Sequence, residues 1–320
     1  RFRNVTGVQT CALPISLMPE LPEVETVRRG LSTELPGKKI KKFDLVHPGG
    51  NRQGSDRPWK EINGARIIEI KRRGKFLWFV LDRDFALVGH LGMSGQMLIR
   101  PKTAEYEKHL RIRIDYGDKK NEFRFVDQRT FGWMALDDLV ASPEGTIPSS
   151  FARISFDIFD PEFDRDKVIS RIRRSKGQIK RVLLDQRIIS GIGNIYADEA
   201  LWLAKIHPER SADRLSEAEI RTILNSVRRV MKRAVARGGT SFDDLYINVN
   251  GESGYFEISL NAYGREGDPC RRCRTAIRRI SFANRSSHFC PRCQKNPGGR
   301  RTGKKAAQRR PITRVRRTTR

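Results

Sequence analysis

Residues 18–31 read Met-Pro-Glu-Leu-Pro-Glu-Val-Glu-Thr-Val-Arg-Arg-Gly-Leu, and the rest of the chain is organised around them. Val24, Val27 and Leu31 fall at the spacings of three and four that make one apolar helix face. Pro19 sits just before that helix, with Glu20 beside it and Glu23 one turn further on. Removal of Met18 would leave a terminal proline imine. An α-amino group titrates at ~7.7–8.0, well below the ~10.4 of lysine. Such an amine is therefore partly unprotonated at neutral pH and can attack a carbonyl-like carbon to give a Schiff base. A carboxyl group next to it is what a general acid or base step needs. The same residues also read as a plain turn entering a helix, and the stretch alone does not choose between the two.

Upstream, residues 1–17 (RFRNVTGVQTCALPISL) lack the apolar core of a signal peptide. We expect them to be a non-native leader, with Met18 the initiator. Kept in place, they would make the Pro19 nitrogen an amide with no nucleophilic lone pair. Cys11 belongs to this segment and receives no chemical role.

Downstream, the 320 residues suffice for two domains with appendages, and the formal charge of +27 calls for a polyanionic partner. Discounting the eleven cations of residues 294–320 together with Arg1 and Arg3 still leaves +14 on residues 17–293. Nucleic acid is the partner such a balance implies, against the alternative of a merely solvated basic surface. No run of eighteen apolar residues occurs, so no membrane-spanning helix is expected. Four of the five cysteines form two C-x-x-C pairs, which suits a reducing cytosol with a metal site better than a secreted disulfide scaffold.

Residues 37–140 contain eight short runs rich in β-branched and aromatic residues, from KKIKKFDLV to GWMALD, and predict a two-sheet β-sandwich. SPEGTIPSSF then reads as a linker, and the pattern beyond it becomes helical. Helices are expected over 166–175 and 176–186, after the glycine turn of ISGIGNIYADEALWLAKI, and over LSEAEIRTILNSVRRVMKRAV, where Ser216 and Glu219 form a capping box. The N–H groups of the GIGN turn, at a helix start, read as an anion site with Asn194 as an added amide donor. Such turns also occur with no ligand at all.

Cys270-x-x-Cys273 and Cys290-x-x-Cys293 offer four thiolates and leave no open coordination position, so we expect one structural Zn2+. The segment between them, IRRISFANRSSHF, reads as a β-hairpin with Arg285 near its tip, either presented to a phosphate or an incidental surface cation. The basic, Gly- and Pro-containing tail is expected to be disordered.

Six motifs occur in one order: PELPEVE at 19–25, KRRGKFL at 71–77, HLGMSG at 90–95, DQRTFG at 127–132, GIGNIYADE at 191–199, and the four-Cys segment with NRSSHFCPRCQ. This set resembles the formamidopyrimidine-DNA glycosylase family of base-excision enzymes, over roughly residues 18–295. PELPEVE looks more like this family than like its relative endonuclease VIII. The resemblance implies an α+β chain in which a β-sandwich with a catalytic N-terminal helix (18–142) is followed by a linker (143–155). A helix-two-turn-helix domain with a base-covering loop (156–262), a zinc-finger hairpin (263–294) and a basic tail (295–320) would complete it.

It also implies roles. Pro19 would attack C1′ of the damaged nucleotide, Glu20 would protonate the sugar ring oxygen, Glu23 would support them, and Lys75 would grip the adjoining phosphate. An enzyme acting at C1′ must take the nucleotide out of the stack and fill the gap. Met93, Arg129 and Phe131 match the family's filling residues, although Met93 and Phe131 taken alone also read as core. Asn194, Arg285 and Lys176 would hold backbone phosphates. His109 would be a further DNA contact or a plain strand-end histidine, and Tyr255 would lie in the base-covering loop. Thr130 departs from the family, where arginine is common, and Arg274 stands where a small residue often follows the second cysteine. The expected protein is a monomeric, cytoplasmic, nucleoid-associated DNA glycosylase and abasic-site lyase acting on oxidised purines. Two rivals stand: an endonuclease VIII-like enzyme for oxidised pyrimidines, and a non-catalytic zinc-finger DNA-binding protein if the leader is retained.

Overall fold

The computed structural model describes residues 19–51, 57–142, 145–239 and 260–296. Chain order begins with helix α1 (Leu21–Glu34) and strands β1 (Lys42–Leu45), β2 (Ile67–Arg73), β3 (Phe76–Leu81) and β4 (Phe85–His90). Strands β5 (Gly95–Pro101), β6 (Leu110–Asp115), β7 (Asn121–Asp127), β8 (Trp133–Ser142) and β9 (Gly145–Pro148) follow. Then come α2 (Arg165–Arg173), α3 (Ile179–Leu183), α4 (Asn194–Ala204), α5 (Glu217–Val235), β10 (Arg278–Phe282) and β11 (Arg285–Phe289).

The eight expected runs are all strands. Together with β9 they form two antiparallel sheets, in the orders β1-β6-β7-β5 and β2-β3-β4-β8-β9. Between them lies a core that includes Phe79, Leu87, Ile112, Phe123 and Phe125. Val24, Val27, Leu31 and Leu35 reach this core from α1 and just beyond it, so the apolar face read from the sequence is the face that packs. Leu21, at the start of the same helix, belongs instead to the helical core, with Ile192, Tyr196, Leu224 and Met231. One helix therefore has its first residue in one domain and its remaining apolar face in the other. Glu20, immediately before it, falls at their junction.

Two expectations are revised. The stretch 143–155, read as a linker, carries β9, which pairs with β8 from Leu139↔Pro148 to Ser142↔Gly145. A short 3-10 turn follows and buries Phe151 completely, edge-on to Trp78 with ring centroids 5.1 Å apart. Its Ser and Pro content concealed two apolar anchors, Ile147 and Phe151, that cover the outer face of the five-stranded sheet. The helix read over 176–186 is only the five residues of α3, because Gln178 is extended and bridges to Ser211.

The long helix α5 begins as read: Ser216 Oγ accepts from Glu219 N–H at 3.2 Å, and Glu219 accepts from Ser216 N–H at 2.8 Å. In the hairpin, β10 and β11 pair from Arg278↔Phe289 to Phe282↔Arg285. The two intervening residues, Ala283 and Asn284, both have positive φ (40° and 61°), as the tight two-residue turn of a twisted hairpin requires. Arg285 is thus the first residue beyond the tip, and it is exposed. No described helix is long and apolar enough to cross a membrane. Residues 1–17, Tyr255 with its loop, and the tail from 297 lie outside the described residues.

Candidate active site

Glu20 is 2 % exposed, and its carboxylate sits on the first turn of α4. Its oxygens accept from Gly193 N–H at 2.6 Å, Ile195 N–H at 2.8 Å and Tyr196 N–H at 3.4 Å. The GIGN turn is therefore an anion site, as read, but the anion it holds is a side chain of the same chain. Only glycine fits at 193, since a Cβ there would stand 2.3 Å from the Glu20 carboxyl carbon. Burial pushes the Glu20 pKa up to about 7, against the opposing pull of Lys75 and of the Gly193 and Ile195 amides, and Glu23 adds to the rise. A carboxyl group at this value is half protonated near neutrality and can donate a proton.

Pro19 is buried beside it. Glu23 accepts from the Glu20 N–H at 2.9 Å and from the Tyr196 hydroxyl at 2.7 Å, which ties the first turn of α1 to α4. Leu21 N–H donates to Gly191 O at 3.1 Å and completes the seam.

Lys75 reaches this corner from the two-residue turn between β2 and β3. Gly74 takes φ +57°, and a Cβ there would lie 2.8 Å from Ser190 and 2.9 Å from Gly191 N. The turn is gripped from the helical domain as well. Asp157 accepts from Arg72 at 2.7 Å and from Gly74 N–H at 3.3 Å, while Arg72 donates to Gly74 O at 3.0 Å. Burial lowers the Lys75 pKa, Glu20 and Glu23 favour its charge, and the Arg285 guanidinium opposes it. Two cations from opposite domains thus lie within electrostatic range of one another, with Lys75 in the field of the carboxyls, an arrangement that a phosphate would relieve.

Met93, Arg129 and Phe131 form a second group at the end of the sandwich. Asp127, fully buried, accepts from Ser94 Oγ at 2.5 Å, Arg129 N–H at 3.2 Å and Gly132 N–H at 2.7 Å, so one carboxylate fastens both loops. Gly92 has φ +61°, and a Cβ there would meet the Phe131 carbonyl carbon at 2.4 Å. Phe131 is 48 % exposed, Met93 and Arg129 are half-buried, and Thr130 has φ +56°, rare for a β-branched residue. An exposed phenylalanine on a braced loop is not a core residue. His109 stands next to this group through its carbonyl, which accepts from Asp127 N–H at 3.0 Å. His90 connects the two groups: it lies within the field of Lys75, and its Nδ1 accepts from Gly92 N–H at 3.1 Å. Burial, then the Lys75 charge, pushes its pKa down to about 4. Lys176 is exposed in the turn before α3.

Sequence reading passed over several participants. Tyr263 lies within hydrogen-bonding reach of Asn194 and in the field of Glu20, and its ring stands edge-on to His288. No spacing rule singles out a tyrosine before Gly264. Asp127, Ser94 and His90 were inside quoted motifs, but the bond from Ser94 to Asp127 that joins two of those motifs spans 33 residues. The four zinc-ligand sulfurs lie within 4.8 Å of one another, and Cys293 N–H points at Cys290 Sγ at 3.4 Å. Four thiolates at this separation suit tetrahedral Zn2+ and leave no vacant ligand position.

Three family models match in order. They are described as the formamidopyrimidine-DNA glycosylase N-terminal domain (residues 18–134), the formamidopyrimidine-DNA glycosylase H2TH domain (154–245) and a zinc finger found in FPG and IleRS (267–296). A curated Nocardioides sp. protein named formamidopyrimidine-DNA glycosylase is 52 % identical over 289 residues, 89 % of this chain and 97 % of that one. The chain belongs to the formamidopyrimidine-DNA glycosylase family.

The fold agrees with solved members of that family. A MutM complex with DNA containing carbocyclic 8-oxo-G is 35 % identical with a TM-score of 0.75, covering 87 % of this chain and 100 % of that one. A complex of Lactococcus lactis Fpg (MutM) with DNA containing an oxidised pyrimidine gives the same four values. The glycosylase-type finger and the four clustered cysteines assign this chain one structural zinc. Because Gly193 has no room for a side chain, Gly193→Ala should displace the Glu20 carboxylate and lower single-turnover base release at least tenfold. Zinc content and binding to undamaged duplex should stay at the parent level. Parent-like excision by a folded Gly193→Ala protein would separate the turn from the chemistry.

Proposed function

We propose that this glycosylase removes oxidised purines, 8-oxoguanine and formamidopyrimidine, from duplex DNA through a Schiff base on Pro19, then cuts the strand by β,δ-elimination. The observation that carries the reading is Pro19 placed beside a buried carboxyl group that has a pKa near 7 and lies in the field of Lys75, which is itself in the field of Arg285. Lys75 and Arg285 grip the phosphates flanking the lesion, with Asn194, Tyr263 and Lys176, and so hold C1′ against the Pro19 nitrogen. The Pro19 nitrogen bonds to C1′ as the base leaves with the glycosidic electron pair and takes up the proton shed by that nitrogen. Glu20 then gives its proton to the ring oxygen as the C1′–O4′ bond breaks, and the sugar opens to the iminium. Proton removal from C2′ then expels the 3′ phosphate, and a second elimination expels the 5′ phosphate. Glu23 keeps α1 and α4 aligned around these steps. Phe131 wedges the stack, Arg129 faces the orphaned base, and Met93 fills the vacated space, with His109 contacting the backbone nearby. Tyr255 and its neighbours are assigned to covering the flipped base. Such an enzyme works on the chromosome, in association with the nucleoid.

The chemistry requires an unacylated Pro19 nitrogen. Protein whose first residue is Pro19 should be trapped covalently by borohydride on an 8-oxoguanine duplex, with the modified peptide mapping to Pro19. The same protein acetylated at that nitrogen should give no adduct. Adducts formed only on a thymine glycol duplex would instead support the oxidised-pyrimidine enzyme, and tight binding with no adduct on any substrate would support the non-catalytic DNA-binding protein.

The pH profile follows from two opposed titrations. The unprotonated Pro19 amine increases up to about pH 8. Protonated Glu20 diminishes once the pH passes about 7. Single-turnover base release should therefore peak between the two and fall on either side. Glu20→Gln should lower the maximum on the order of 100-fold and abolish the alkaline fall, while binding to undamaged duplex is unchanged. An alkaline limb that survives in Glu20→Gln would remove Glu20 from the acid role.

A further inference from the structure

Lys180 and Asp198 are both fully buried and form an ion pair of 2.7 Å where α3, α4 and the zinc hairpin meet. Asp198 lies inside the GIGNIYADE motif without a role of its own, Lys180 lies in no quoted motif, and the reaction described above uses neither. Their remaining bonds all go to β11, the strand that begins with Arg285. Lys180 Nζ donates to Ser286 O at 3.0 Å and stands 5.0 Å above the Phe282 ring on β10. Asp198 accepts from Ser287 Oγ at 3.0 Å and from His288 N–H at 2.8 Å. The pair therefore holds the three residues that follow Arg285, from carbonyl and amide alike, while Arg285 itself remains exposed. Asp198 lies one turn beyond the amides that hold Glu20, so the strand presenting the guanidinium is pinned to the same helix that positions the acid. A neighbouring carboxylate holds the other end of the segment: Glu199 accepts from the N–H groups of Asn261, Ala262 and Tyr263 at 2.7–3.0 Å.

A hairpin this small, stapled at its base by zinc, is free to rock about that staple unless its strand is held near the tip. We propose that Lys180 and Asp198 are positioning residues for Arg285: by fixing β11 against α4 they set the distance between the Arg285 guanidinium and Lys75, and so the phosphate spacing the enzyme accepts. This rests on the reading of Arg285 as a phosphate clamp and adds the device that aims it. A residue that acts only through Arg285 has no effect once Arg285 is gone, whereas a residue that touches DNA itself or merely supports the fold does not depend on Arg285 in that way.

The test is a thermodynamic cycle on undamaged and 8-oxoguanine duplexes, with zinc stoichiometry measured for every protein. K180M/D198N removes both charges together, D198N alone is the milder change, and each is combined with R285A. We expect R285A to weaken binding to both duplexes about tenfold and to reduce the slope of log Kd against log salt by about one. The pair variant should retain one zinc and reproduce both effects, and adding R285A to it should cause no further loss. Parent-like binding by the pair variant, or losses that multiply in the combined protein, would overturn the proposal while leaving the clamp intact. Parent-like binding by R285A would overturn the clamp and the proposal together. Loss of zinc from both K180M/D198N and D198N would assign the pair to holding the finger together, and the positioning role would be rejected.

Discussion

A carboxylate from one domain rests on the opening amides of a helix in the other, and the active site depends on that contact. Glu20 accepts three backbone N–H groups from the first turn of α4, at 2.6, 2.8 and 3.4 Å, in a position closed to solvent. Helix starts attract negative charge because their N–H groups have no partners within the helix. Here that property joins two halves of the molecule and at the same time fixes the group proposed as the acid. Burial alone would make the carboxylate costly, and the amides offset part of the cost. The balance leaves the group titrating near neutrality, where a proton donor is useful.

The remaining pieces are placed by devices that also cross the junction. Leu21 packs in the helical core while Val24, Val27 and Leu31 pack in the sandwich, so α1 cannot shift without disturbing both. The Lys75 turn is held by Asp157 from the far side and is closely packed against Ser190 and Gly191. Close packing explains the glycines better than flexibility does, since a Cβ would meet Ser190 and the Gly191 nitrogen at 74, the Leu21 side chain at 191 and the Glu20 carboxyl at 193. Rigid placement of cations and acid before DNA arrives is the arrangement that lets binding energy go into the reaction rather than into ordering the site.

How much of this was legible in the sequence depends on the range of the interactions. Period-two runs and the helix face of α1 are local patterns, and they gave eight of the nine sandwich strands and the buried face. The capping box of α5 and the paired C-x-x-C knuckles are local as well, and each is present. The glycine turn at 191–194 was legible as an anion site, but its occupant, Glu20, is more than 170 residues away in sequence and has no local signature. The same holds for Asp157 and Asp198, whose partners at Gly74 and on β11 lie 83 to 90 residues away and make ordinary-looking acids into structural hubs. The stretch 143–155 was misread because turn-forming residues outnumber the two apolar side chains that fix it in place. Phe131 and Met93 were ambiguous between core and surface until the brace at Asp127 showed their loops to be held outward. Tyr263 carried no signal at all.

Glu20 carries most of this account, and its state can be observed directly. With 13C-labelled glutamate in protein beginning at Pro19, NMR titration should show one carboxyl resonance, absent in Glu20→Gln, with a midpoint near 7. A Glu20 midpoint in the ordinary carboxylate range of about 4.3 would mean that the group is ionised throughout the working range and cannot supply the proton, and the mechanism built on it would be wrong.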